Sequence, residues 1–297
     1  MKQKIGIQIS QLVNTDSPAA VFEEVKYNFI QFYAFKEFEA VRKAFIDFNL
    51  LFEGKYPGYK ACNTKYHDKI HTTDALLAIS RLIDGYNLQN KHKLPVQKVK
   101  VALVATIFHD TGYIQKKTDN AGTGAKYTLN HVERSIEFIE KYFKLNGFSK
   151  KDFIEAMNLV HCTGLSINLK EIKFQDKAEE VLGYMLGTAD ILGQMASRTY
   201  LERLLYLYKE FKEGHVQGYN SELDLLKKTL VFYENTKIRL SKVLKGVCKY
   251  AVPHFQARYK ANKDLYMEAV ARQIYYLKEI VAYESVSIKD KLRRQVF

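Results

Sequence analysis

The stretch VALVATIFHDTGY at 101–113 runs almost wholly apolar and then sets His109 beside Asp110. A buried carboxylate next to a buried imidazole is costly unless something charged compensates it. A cationic side chain is one remedy. A metal ion, which takes both residue types, is the other. Similar residues recur along the chain: His67 and His71 in YHDKIH, His131 in NHVERS, His161 in LVHCTG, and Asp190 interrupting GYMLGTADILG. The four-residue step from His67 to His71 predicts one shared helical face. The others fall at the start, the end or the apolar side of helical patterns, and a helical bundle can bring such positions to one point in its core. Singly, each has an ordinary reading. A histidine on an apolar face is more often a hydrogen-bonded core residue, and an aspartate in a helix more often caps or is solvated. No serine or cysteine stands out as a nucleophile, and Cys162 beside His161 reads as helix-end packing.

The elements that must carry these residues are helical. Ser17 and Pro18 form a helix start, and apolar residues from Phe22 to Phe48 recur every three or four positions, predicting one helix to about Leu51. That aromatic stripe reads as core or a helix–helix interface. Further helices are expected over 69–85, 96–109 and 131–142, and from the Ser149…Asp152 capping pattern to His161. A long one over 177–211, bent near Gly187, and two more over 221–249 and 261–284 complete the set. Residues 1–16 read as a lead-in and 116–130 as a loop. No strand-turn-strand signal or internal repeat is present.

With 297 residues, the chain has room for one large domain or two small ones. Only 4 prolines and 15 glycines leave long helices uninterrupted. Lys and Arg outnumber Asp and Glu by 46 to 33, a net +13 that favours an anionic partner. The basic residues are scattered through amphipathic segments rather than gathered in a tail, which ranks nucleic acid below a phosphorylated small molecule. The three cysteines, Cys62, Cys162 and Cys248, are odd in number and far apart, as expected of a reducing cytoplasm. MKQKIGIQIS contains no continuous apolar region of a signal peptide. No apolar run approaches the roughly 20 residues of a membrane span. The composition is compatible with a homo-oligomer.

Across roughly residues 60–200, YHDKIHTTDAL, FHDTGY, NHVERS, LVHCTG and TADILGQ together resemble the HD-domain superfamily of metal-dependent phosphohydrolases. The order H…HD…H…H…D is similar to that of the members that hold two metal ions. YHxxxH resembles the start of the cyclic-nucleotide phosphodiesterase catalytic domain. The resemblance implies an all-α HD-domain bundle over 56–212, with helical extensions at 1–55 and 213–297 that it does not itself cover. It implies that His71, His109, Asp110 and Asp190 hold a first metal, that Asp110 bridges to a second, and that His131 and His161 complete the second site. His67 resembles the histidine that protonates the leaving group. Asp68 stands where phosphodiesterases usually have Asn. The cyclic di-GMP-degrading subgroup has a lysine shortly after its HD and a GYP motif; this sequence reads HDTGYIQKK, with GYP absent, so that substrate is not supported.

The chemistry so implied is metal-dependent hydrolysis of a cyclic nucleotide or nucleotide phosphoester. Two divalent ions (Mn, Fe, Zn or Mg) would share a bridging hydroxide, lower the pKa of bound water and offset charge on the phosphoryl oxygens. Inositol oxygenase has the same six-ligand order around a di-iron site, which makes an oxygenase the alternative enzyme. A non-catalytic nucleotide sensor is a third reading. Lys116, Lys117 and Lys126 flank the DNAGTGA loop and are either phosphate contacts or solvated charge. Asp68 and Asp74 are either partners of metal-bound histidines or helix-surface charge. Gln194 and Arg198, one and two turns after Asp190, face either substrate or solvent. His92, His215 and His254 lie in polar stretches and read as surface residues.

Overall fold

The computed structural model describes residues 6–282 and 291–292. The first five residues of the expected lead-in and the last two of the helix expected over 261–284 lie outside that range. Among the described residues the protein is all-α, with only two isolated bridges and no strand. Its helices are α1 (Pro18–Ile30), α2 (Glu39–Phe52), α3 (Lys69–Gln89), α4 (Val96–Phe108), α5 (His131–Leu145), α6 (Lys150–His161), α7 (Lys177–Ala196), α8 (Tyr200–Glu213), α9 (Glu222–Ile238), α10 (Ala251–Tyr259) and α11 (Leu265–Ala282). No described helix is long and apolar enough to cross a membrane.

Local signals set the helix starts. Ser17 Oγ accepts from the Ala20 N–H, with Pro18 in the first turn. Ser149 and Asp152 bond reciprocally at the start of α6. The single helix expected over 18–51 is instead two. The chain turns after Ile30, passes through a short 3-10 segment (Phe35–Phe38), and returns as α2. The turn folds the aromatic stripe onto itself. Phe22 stacks on Phe45 at 4.0 Å, and Phe29 meets Phe38 at 5.1 Å. Side-chain burial gained this way outweighs the continuity of one helix.

The expected 177–211 helix also divides, at Ser197–Thr199 rather than at Gly187. Gly187 serves packing: a Cβ there would stand 2.4 Å from the Cys162 carbonyl oxygen. The 221–249 pattern resolves into α9, a π turn (Arg239–Val243) and a 3-10 turn (Val247–Tyr250), and α10 is a helix that no periodicity marked. At the centre, α3 packs along α7, with α4 and α6 beside them, α1 and α10 on α3, and α11 on α7. One apolar cluster contains residues from Ile9 to Ile280, so the terminal segments share the core of the middle of the chain.

Candidate metal centre

Three neighbouring elements bring the central group together. His71 lies in the first turn of α3, His109 caps the C-terminal end of α4 with Asp110 next to it, and Asp190 lies on α7. The approach of α3 to α7 depends on Gly193, one turn after Asp190. A Cβ there would meet the Asp74 carbonyl carbon and the Ala75 nitrogen at 2.8 Å.

His71 Nε2 lies 3.0 Å from Asp110 Oδ2 and 3.2 Å from Asp190 Oδ1. His109 Nε2 lies 3.4 Å from Asp110 Oδ2 and 3.5 Å from Asp190 Oδ1. Donor atoms about 2.0–2.2 Å from one cation stand about 2.8–3.6 Å apart at octahedral to tetrahedral angles. The four contacts fall in that interval. Donor atoms of His71, His109 and Asp110 all lie within 4.8 Å of one another, and the three residues are buried. His109 Nε2 and Asp110 Oδ2 have no hydrogen-bond partner although both are buried. Orphaned atoms of this kind are costly unless a ligand meets them. A divalent cation fits this donor set.

The tautomer of His109 suits ligation. Its Nδ1 lies 2.8 Å from the Thr106 carbonyl, so Nδ1–H donates there and the Nε2 lone pair points into the group. Burial works against charge on His71, but Asp110 and Asp190 outweigh it and hold its pKa up to about 10. His109 is raised in the same way, against burial, chiefly by the Asp110 charge. Asp110 and Asp190 are held well below the usual carboxylate range, burial being overridden by His109 and His71. One buried and one part-buried carboxylate demand positive charge, which protons on the imidazoles or a divalent cation can supply.

His131 stands at the edge of this group. Its Nε2 is 3.8 Å from Asp110 Oδ1, and its Nδ1 is 2.7 Å from the Thr128 carbonyl. Burial keeps its pKa low and the ring neutral. Gly112 allows this approach, since a Cβ there would sit 1.9 Å from the His131 carbonyl oxygen. Two more bonds lock the contact: the Gly112 N–H donates to Ser135 Oγ at 2.8 Å, and Arg134 Nε donates to the Gly112 carbonyl at 2.7 Å. His161, half-buried at the end of α6, makes no hydrogen bond or ion pair with the group among the described residues. Burial lowers its pKa, and the one charge acting on it is Glu133 of α5.

His67 is not on the helix that carries His71. Asp68 is the N-cap of α3, so His67 lies in the preceding loop. Tertiary contacts bring it to the site instead. Its Nδ1 is 2.7 Å from Glu210 Oε2 of α8, and its ring stacks on Tyr113 at 4.2 Å, which in turn stacks on His131 at 4.7 Å. The Tyr66 N–H donates to the other Glu210 oxygen at 2.6 Å. Arg203 donates to Asp68 Oδ1 at 2.7 Å and to the Tyr66 carbonyl. Neither Glu210 nor Arg203 carried a sequence signal, because each acts across more than 130 residues. Asp68 caps through the His71 N–H at 2.9 Å, so it orients the helix rather than the ring.

The remaining candidates divide. Asp74 is buried, which pushes its carboxyl up to about 7. Together with Gln194 and Arg203 it lines a cavity of about 10 Å³ beside His71, but His71 Nδ1 has no hydrogen-bond partner, so Asp74 does not hold that ring. Gln194 accepts from the Tyr66 hydroxyl and faces this flank of the site. Arg198 is exposed and lines a different cavity. Lys116 and Lys117 are exposed. Lys126 pairs with Asp119, which also accepts from the Tyr127 hydroxyl at 2.6 Å, so this lysine organises its own loop. His92 and His215 are exposed as expected. His254 is not a surface residue. It is fully buried, with Nδ1 2.7 Å from Asp84 Oδ2, because α10 packs against α3. Cys162 is buried at the end of α6, and burial pushes its thiol up to about 12.

The site opens on one side. The side chains of His67, His131 and Asp190 are 14%, 24% and 15% exposed, against 3% and 1% for His71 and His109. The model of the Npun_R2479-like family matches residues 58–250. No curated protein and no solved structure matches the chain. The match covers well over half of the sequence and contains every residue of the centre, and the chain belongs to that family.

Proposed function

For this member of the Npun_R2479-like family we propose metal-dependent hydrolysis of a phosphoester, with a cyclic nucleotide or nucleotide as the substrate class. The observation that carries the reading is the meeting of His71, His109, Asp110 and Asp190 around orphaned buried donor atoms, with a carboxylate-held histidine on the open side. A divalent cation bound by these four residues would lower the pKa of a coordinated water and offset charge on the phosphoryl oxygens. A second cation would use Asp110 with His131, and the family resemblance adds His161.

The protein's own groups do the rest. Glu210 accepts from His67 Nδ1–H, and Nε2, which has the Tyr113 hydroxyl at 3.5 Å, would carry the proton for the departing oxygen. Tyr113 keeps that ring parallel to its own face and fixes the direction of the proton. The surplus of 13 positive charges draws an anionic substrate toward the chain.

Metal analysis of the purified protein, followed by turnover of bis-p-nitrophenyl phosphate and a nucleotide panel with Mn, Fe, Zn and Mg, tests the reading. Metal at stoichiometric level with phosphodiester turnover is expected. A metal-loaded protein that turns over no phosphoester ends it, and oxygen consumption with iron would point to an oxygenase instead.

A further inference from the structure

Arg81 lies on α3, 1% exposed, far more buried than an arginine usually is. It has no ion pair among the described residues. Nη1 donates to the Tyr266 hydroxyl at 3.1 Å, while Nε and Nη2 have no partner. The guanidinium sits over the rings of Phe255 and Tyr266 at 5.5 and 5.7 Å. Glu24 acts on it only through space and spends an oxygen on the Tyr259 hydroxyl at 2.6 Å. Asp84, one turn on, is taken by His254 and Arg258. A buried cation with two idle donors is a costly arrangement unless an anion completes it.

Arg81 lines a part-open cavity of about 40 Å³ between α3, the end of α7, α11 and the segment around Ile9. One water needs roughly 10–15 Å³ by this measure, so the space takes about three water-sized groups. The polar lining is Ser10, Thr15, Ser197, Arg198 and the Tyr266 hydroxyl, whose own proton has no acceptor among the described residues. Gln273 pins the 197–198 turn by donating to the Ser197 and Arg198 carbonyls, at 2.6 Å to the first. Asp74 is the one acid in the wall, and the strongest cationic influence on it is Arg203, on the side of the metal centre.

We propose that this cavity is a second ligand site, for a small oxyanion such as a phosphate or carboxylate group, held by Arg81 with Arg198, Tyr266 and Ser197. The cavity shares Asp74 and Ser197 with the small space beside His71 but contains none of the residues of the metal centre, and the inference does not depend on the reaction proposed there. Phosphate and carboxylate share the chemistry of accepting from a guanidinium fork.

The test is thermal unfolding of the full chain in EDTA, titrated separately with inorganic phosphate and with acetate, for wild type, Arg81→Met and Arg198→Gln. The wild type should gain about 3 °C at a tenfold excess over its Kd, in a saturable way, with at least one of the anions. Arg81→Met should lose that gain and, without anion, melt at or above the wild type, because an unpaired buried charge has gone. Arg198 is exposed, so Arg198→Gln should fold normally and weaken the midpoint several-fold, which keeps the test decisive if Arg81→Met fails to fold. The anion that binds more tightly identifies the ligand class. No saturable gain in wild type with either anion, or an equal gain in folded Arg81→Met, overturns the site. If Arg81→Met does not fold, an unchanged midpoint in Arg198→Gln does so.

Discussion

Glu210 Oε2 lies 2.7 Å from His67 Nδ1, a contact between residues 143 positions apart. It holds His67 in place rather than leaving it a loose loop residue, and under the proposed hydrolysis it gives His67 a role separate from that of the metal-holding residues. His67→Ala should keep the metal and lose rate by roughly 10²–10⁴-fold. The loss should shrink for a p-nitrophenolate leaving group, which needs little protonation. Loss of metal from His67→Ala would make it a ligand instead.

Glu210→Gln should fold and bind metal, with kcat down about 10–100-fold. An amide no longer holds the His67 ring as the carboxylate does, so the loss should be larger for a poor leaving group than for p-nitrophenolate. An equal loss for both leaving groups would assign Glu210 to loop support alone.

Asp110→Ala should abolish both metal binding and hydrolysis. Asp110 Oδ2 faces both His71 and His109, and its Oδ1 faces His131, so its removal withdraws charge from every candidate ligand around it. Metal content by mass spectrometry with an unchanged circular dichroism spectrum is the check. Full activity in the folded variant would end the metal reading.

Gly112→Ala should destabilise the fold by about 1–3 kcal/mol, because the His131 backbone occupies the place of the new methyl. It should also weaken any second metal more than the first, since His71 and Asp190 lie on other elements while Asp110, at the start of the strained turn, serves both. Denaturant unfolding and metal stoichiometry read the two effects separately.

A pH effect follows from His254. Burial holds its pKa below the ordinary 6.5, although Asp84 pulls the other way, so the ring is neutral in the fold. As pH falls through about 6.5 the unfolded chain takes up a proton that the native imidazole refuses. This contribution to stability is therefore complete above pH 6.5 and lost below it. His254→Asn should flatten stability against pH between 6.5 and 5, by up to about 1.4 kcal/mol per pH unit relative to wild type. Parallel curves for the two proteins would refute the assignment.

Local chemistry alone determined the all-α class, the starts of α1 and α6 at Ser17 and Ser149, and the residue types of the ligand group. Caps and 3.6-residue periodicity act within a few positions, so they are legible in a sequence. The turn after Ile30, the break at Ser197–Thr199 and the helix α10 were decided by packing, which gains more from burying Phe22 on Phe45 than from continuing a helix. The same holds for the site. His71, His109, Asp110 and Asp190 could be named from the family resemblance that their order carries, but their meeting rests on Gly193 letting α7 approach α3. His67 reached the site through Glu210 rather than through the helical spacing it shares with His71. His254, in an equally polar stretch, was drawn into the core by Asp84, while His161 stayed off the contact network. Which histidine meets which carboxylate depends on contacts spanning up to 170 residues, and no local propensity carries that information.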